Sequence, residues 1–242
     1  MKIIGLVILM WLGSACGDGD TASLETAVPK STEKIVDAYK IEPGANLRSA
    51  LLGDADLRGS DLRGANLIDA NLINADLRGA NLTGVNLTNA NLTNADLRGA
   101  NLRDANLTNS NMSDSNLYGV TLRDANLFGA NLERTFLRGA NLTGANFYTV
   151  NLSEASLSEA SLSEANLTAV NLYGANLTNA DLTGSTLFLA NLALANLTGA
   201  NLTDANLEGA VLTGSILTGA VLKGSILTDA VLTDANLADA RR

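Results

Sequence analysis

Few side chains in this chain could do covalent or acid–base chemistry. It has no histidine and a single cysteine, Cys16. The commonest general base and metal ligand is therefore missing, and so are an internal disulfide framework and a cysteine-based zinc site. No phosphate-binding glycine loop and no serine-centred elbow occurs. What remains is charge: Arg58, Arg78, Arg98 and Arg138 recur at multiples of twenty, with Tyr118 in the gap. Asp56, Asp76 and Asp96 stand two residues before the first three. Such a stripe could hold an anionic polymer or a lipid headgroup. The acid column beside it would instead pair with it, each exposed pair being worth under about 1 kcal/mol. Neither reading is catalytic, so no enzyme activity, cofactor or metal is expected.

Cys16 takes its meaning from what precedes it. Lys2 is followed by the mostly apolar stretch Ile3 to Leu12, and then by Gly13, Ser14 and Ala15. That is the layout of a secretory signal peptide over residues 1–15, and it falls short of the roughly 20 apolar residues that span a bilayer. Two readings of its processing stand open. Gly13 and Ala15 meet the small-x-small rule for release after Ala15. Alternatively, Cys16 resembles the lipidated cysteine of a bacterial lipoprotein, although Gly13 stands where an aliphatic residue is usual and Leu12 lies one place too early. Lipid on Cys16 would anchor the protein to a membrane without a transmembrane helix. Both readings export the chain, to the cell envelope or periplasm.

The elements that would position anything further begin after this segment. Residues 16–30 are polar and read as a flexible tether. Residues 31–44 read as a short capping helix: Ser31, Thr32 and Glu33 suit a helix start, and Ile35, Ala38 and Tyr39 form one apolar stripe. Pro43 and Gly44 would end it.

From residue 45 to 240 the chain falls into fives without losing phase. The unit is Ala-Asn/Asp-Leu-x-x, and its thirty-nine centres run from Leu47 to Leu237. Every centre is Leu except Met112 and Phe147, and the residue two before it is always Ala, Ser, Val or Thr. A period of five matches neither an α-helix nor a flat strand, but it does match a chain that turns one corner per five residues. The sequence is similar to the pentapeptide-repeat family. That resemblance implies an all-β fold, a right-handed quadrilateral parallel β-helix in which four units make one square coil. Thirty-nine units would give about ten coils, a rod on the order of 47 Å long at strand spacing.

Residues twenty apart should then stack in columns. Asn46 to Asn166 forms one such column and should carry an amide ladder. Phe128, Tyr148 and Phe188 share an outward column, with Tyr173, Leu189 and Leu194 also facing out. Outward apolar groups have no role in a core, so these six residues are the candidate partner surface. Val211, Ile216, Val221, Ile226 and Val231 replace the usual Asn or Asp over five successive units. They read as an apolar girdle through which two copies could meet end to end as a homodimer.

The formal net charge of −9 argues against direct nucleic-acid binding. It is uneven: residues 45–139 hold nine Arg against ten acids, and residues 140–239 hold one Lys against nine acids. The sequence therefore reads as an exported, non-catalytic rod that scaffolds or binds an unknown protein partner at the cell envelope. The alternative comes from the acidic DNA-mimic branch of the same family. It is a binding protein directed at a cationic partner such as a type II topoisomerase.

Overall fold

The computed structural model describes residues 34–36 and 39–242. The signal segment 1–15, the tether 16–30, Cys16 and the Ala38 position of the expected helix lie outside the described residues. Among the described residues, no helix is long and apolar enough to cross a membrane.

Each five-residue unit is built the same way. The centre carbonyl accepts the amide three residues on, as in Ala50 N to Leu47 O at 3.0 Å. The residue two after the centre has positive φ, for example Asn74 at 58° and Gly64 at 64°. A positive φ at that one position marks a type II turn, which favours Gly and Asn. The residue before the centre locks the same corner: Asn71 Oδ1 accepts the Ile73 amide at 3.1 Å. That bond is why Asn and Asp recur there, since a short side-chain carbonyl reaches the backbone two residues on.

Four corners close a coil, because the chain bridges to itself at a spacing of twenty. Asn46 pairs in parallel with Asn66 and Leu51 with Asn71, and the series continues to Val221 with Arg241. Leu47 N donates to Asn66 O at 2.7 Å, while Asn66 N donates to Ala45 O at 2.9 Å. Backbone groups are therefore satisfied between coils rather than by water.

The interior is filled by the two inward columns. Leu127, Leu132, Leu137 and Phe147 have no solvent exposure, and the alanines two before the centres of the inner coils, such as Ala125, Ala130 and Ala145, are almost as buried. Small residues fit there because coils stack only about 4.8 Å apart.

The expected helix over residues 31–44 is corrected by the structure. Lys34–Val36 (β1) and Tyr39–Ile41 (β2) form an antiparallel pair with Val36 opposite Tyr39. The first coil presents a strand edge, and β-branched and aromatic residues such as Val36, Tyr39 and Ile41 favour extended backbone. The Leu51 amide, which has no coil before it, donates to the Tyr39 hydroxyl at 3.3 Å. Val36 and Tyr39 also pack on the core, and Leu47 and Leu52 beneath the hairpin are buried. At the other end Leu227, Leu232 and Leu237 remain half-buried.

Candidate functional site

A filled coil leaves its outward positions for recognition. We number the four faces by their first centres: Leu47, Leu52, Leu57 and Leu62 open faces one to four. On face three the arginine column is already committed. Arg58 Nε and Nη2 donate to Asp56 at 2.9 and 2.7 Å, Arg78 grips Asp76 at 2.8 and 2.6 Å, and Arg98 grips Asp96 likewise. Two of the guanidiniums also lean to the next coil, Arg58 and Arg78 each lying 3.6 Å from the following aspartate. The arginine bonds hold the Asp76 and Asp96 carboxyls below the usual carboxylate range. Arg138, whose own unit carries Phe136 in place of Asp, turns to Glu159 at 2.9 Å. The ladder is a staircase of ion pairs, so it presents little net positive charge to an anion.

The expected column carries the amide ladder in part, Asn146 donating to Asn126 and Asn166 to Asn146 at 3.0 Å each. Asn66 reaches Asn46 only at 3.4 Å, and Asn126 donates to the Thr108 hydroxyl instead of to Asn106. Thr88 and Thr108 hydroxyls also donate to Asn86 and Asn106. The unbroken ladder runs on face two from Asn111 through Asn131, Asn151 and Asn171 to Asn191, at 2.9–3.2 Å per step. There the residues two after Asn131, Asn171 and Asn191 are Glu133, Tyr173 and Ala193, and Asn151 Oδ1 accepts both the Ser153 hydroxyl at 2.8 Å and the Asn171 amide at 2.9 Å.

The candidate partner surface divides into two parts. Phe128 and Tyr148 stack on face one with ring centroids 5.7 Å apart, which supplies attraction beyond burial alone. Phe188 lies two coils further along that column and is half-buried. Tyr173 is exposed on face two, and Leu189 and Leu194 occupy the two corners that flank that face, 55% and 54% exposed. Both leucines hold positive φ, 54° and 59°, a region unfavourable to a bulky side chain. The girdle residues face sideways: Ile216, Ile226 and Val231 are exposed, and Val211 and Val221 are half-buried. In the last coils the centres Leu227, Leu232 and Leu237 are half-buried.

One exposed aromatic escaped the sequence reading. Phe136 is 56% exposed beside Tyr118 on face three, at a position where Asn or Asp would have capped the Arg138 amide. The signal was present as the sole aromatic at the position before a centre. Among the described residues, no group of three or more acidic or cysteine side chains is placed to hold a metal ion.

The sequence model for pentapeptide repeats matches residues 45–84, 86–124, 121–148, 145–184, 190–229 and 215–241. The chain belongs to the pentapeptide-repeat family. Among solved structures this pentapeptide-repeat protein is similar to HetL, a protein involved in heterocyst differentiation regulation from the cyanobacterium Nostoc sp. strain PCC 7120. The identity is 36% over 82% of this chain and 87% of that one, with a TM-score of 0.45. It is 21% identical to QnrB1, a plasmid-mediated fluoroquinolone resistance protein, over 67% of this chain and 82% of that one, with a TM-score of 0.49. A pentapeptide-repeat protein of the Arabidopsis thaliana thylakoid lumen is 34% identical over 41% of this chain and 69% of that one, TM-score 0.40. No curated protein matches the chain.

Proposed function

We propose that this pentapeptide-repeat protein is an exported, non-catalytic rod that binds a protein partner side-on, serving as a scaffold at the cell envelope. The observation that carries the reading is the pair Leu189 and Leu194. Folding gains little from a half-exposed leucine in a left-handed corner, and strained backbone with an exposed apolar group is characteristic of a surface kept for a contact. The Phe128–Tyr148 stack extends the apolar surface on the neighbouring face. The basic n-region, the apolar stretch to Leu12 and the placement of Cys16 support export, with a lipid anchor on Cys16. Contact between two copies through the C-terminal coils belongs to the same proposal and is supported by the half-buried Leu227, Leu232 and Leu237.

The acidic half favours one second reading, a polyanion mimic acting on a cationic partner such as a type II topoisomerase. The experiment is fractionation combined with palmitate labelling of wild type and Cys16→Ser. Label in the membrane fraction, lost in the variant, is the expected result. An unprocessed, unlabelled chain in the cytosol would remove the envelope reading and favour the mimic, which a supercoiling-inhibition assay then tests.

A further inference from the structure

Leu189 and Leu194 are not isolated oddities of two corners. They occupy successive corners of one coil and bracket face two, whose floor between them is Asn191 and Ala193. Directly above each leucine the corner residue is glycine: a Cβ built on Gly209 would stand 2.7 Å from Leu189 Cδ2, and one on Gly214 would stand 2.8 Å from Leu194 Cδ2. The leucine side chains thus lean along the rod axis into seats that a larger corner residue would close. Val211, bridged to Asn191, continues the apolar floor between the two seats. One coil further, the same two corner columns carry Asp229 and Asp234, both with left-handed φ. The result is an apolar shelf under a pair of carboxylates.

The charge around this shelf is mainly negative, the exceptions at the last coil being Arg241, bridged to Val221, and Arg242. Between residues 140 and 239 the only basic residue is Lys223, which lies on face four. Among the described acids of that stretch, only Glu159 forms an ion pair, with Arg138. Glu208 adjoins Leu189, whose amide donates to its carbonyl at 3.0 Å. The N-terminal half, by contrast, neutralises its acids in place, as the Asp56–Arg58 and Asp76–Arg78 pairs show. An apolar patch rimmed by uncompensated carboxylates repels an anionic membrane and attracts a segment that carries apolar and basic groups together. The spacing is compatible with a helix. Two coils separate the leucines from the aspartates, about 10 Å at strand spacing, and a helix covers that in roughly seven residues.

We propose that the Leu189–Leu194 shelf beneath Asp229 and Asp234 is a docking site for a cationic amphipathic segment of a partner protein. The proposal rests on the partner-binding reading above and adds the chemistry of the partner.

The probe is a synthetic leucine–lysine amphipathic peptide titrated into the full chain by fluorescence anisotropy, with its leucine–glutamate counterpart as control. The lysine peptide binds and the glutamate peptide does not. Leu189→Ala with Leu194→Ala leaves the net charge unchanged and weakens binding about tenfold or more, as truncation of two central apolar anchors does. Asp229→Asn with Asp234→Asn weakens it severalfold, whereas Glu164→Gln with Asp204→Asn, an equal charge change at other corners, does not. Equal losses for the two charge pairs with no loss for the leucine pair would show diffuse attraction to an acidic rod and overturn the proposal. Preferential binding to phosphatidylglycerol vesicles over the peptide would also overturn it.

A fold readout separates function from packing. Asn is native at other left-handed corners, such as Asn179. Leu189→Asn with Leu194→Asn should therefore raise the thermal midpoint, by about 2–4 °C, while peptide binding falls. A lowered midpoint with unchanged binding assigns the leucines to the coil and sinks the idea. Finally, a photo-crosslinking phenylalanine analogue replaces Ala193 in living cells. A crosslink to a basic amphipathic segment supports the proposal. A crosslink to an acidic or uncharged segment removes the proposal and leaves the partner-binding reading standing. No crosslink removes both.

Discussion

Replacing Leu127 with alanine tests whether the inward leucine column acts as a closed core, and the magnitude follows from where the residue sits. Leu127 has no solvent exposure, and in its column Leu107 and Phe147 lie one coil before and after it. Alanine removes three carbons, which at about 0.8 kcal/mol each costs roughly 2.4 kcal/mol of transfer free energy. The neighbouring coils are held by bonds such as Leu107 N to Asn126 O and Leu127 N to Asn146 O, at 2.7 and 2.9 Å. They cannot close the gap, so a cavity term adds to the loss and the total reaches about 3–5 kcal/mol. Leu237 supplies the contrast. It belongs to the same kind of column, yet it is only half-buried in the last coil and alanine there leaves a notch open to water. That loss should be about 1 kcal/mol, near half the transfer value. Urea unfolding followed by circular dichroism measures both variants under one slope. A Leu127→Ala loss below about 1 kcal/mol, or a Leu237→Ala loss equal to it, would refute the picture of a filled interior closed by its neighbours.

Two further outcomes follow from the polar groups. Among the described residues, the buried hydroxyls of Ser60 and Ser110 find no hydrogen-bond partner, whereas Ser115 donates to the Met112 carbonyl at 2.6 Å. Ser110→Ala should therefore be neutral or stabilising by up to about 1 kcal/mol, and Ser115→Ala should lose about 1 kcal/mol; thermal melts of the two variants give opposite signs. Asp61, Asp76 and Asp96 have carboxyls held below their ordinary value by arginine bonds. Lowered folded values mean that their stabilisation is complete above the unfolded carboxylate range, near pH 4, and is lost as pH falls through the folded values. Unfolding curves between pH 6 and pH 2 should show a shallower acid decline for Asp76→Asn with Asp96→Asn than for wild type.

How much of this was legible beforehand depends on whether a residue's partner lies in the repeat itself. The inward columns and the corners were legible, because a five-residue period names each residue's direction and each residue's partner is its own counterpart twenty positions on. Ion pairing along the arginine column was legible as one of two readings for the same reason, since Asp56 and Arg58 lie in one unit. Outside the period the reading fails. Ile35, Ala38 and Tyr39 have helical spacing, but the chain there faces an unpaired coil edge, and a Tyr39 hydroxyl that takes the Leu51 amide rewards a hairpin instead. The amide ladder of the Asn46 column is interrupted where the hydroxyls of Thr88 and Thr108 engage Asn86 and Asn106, a choice between donors that no column diagram contains.

The sequence by itself therefore determined the family, the coil and the inward and outward identity of residues 45–240, because close stacking admits only one side-chain direction per position. Only the tertiary structure decided which outward groups are spent on one another and which stand exposed. Arg58, Arg78 and Arg98 proved to be satisfied within the rod, while Leu189 and Leu194 proved to be strained, exposed and seated on glycines. Both facts depend on distances between coils, and those distances are set by backbone hydrogen bonds rather than by residue order.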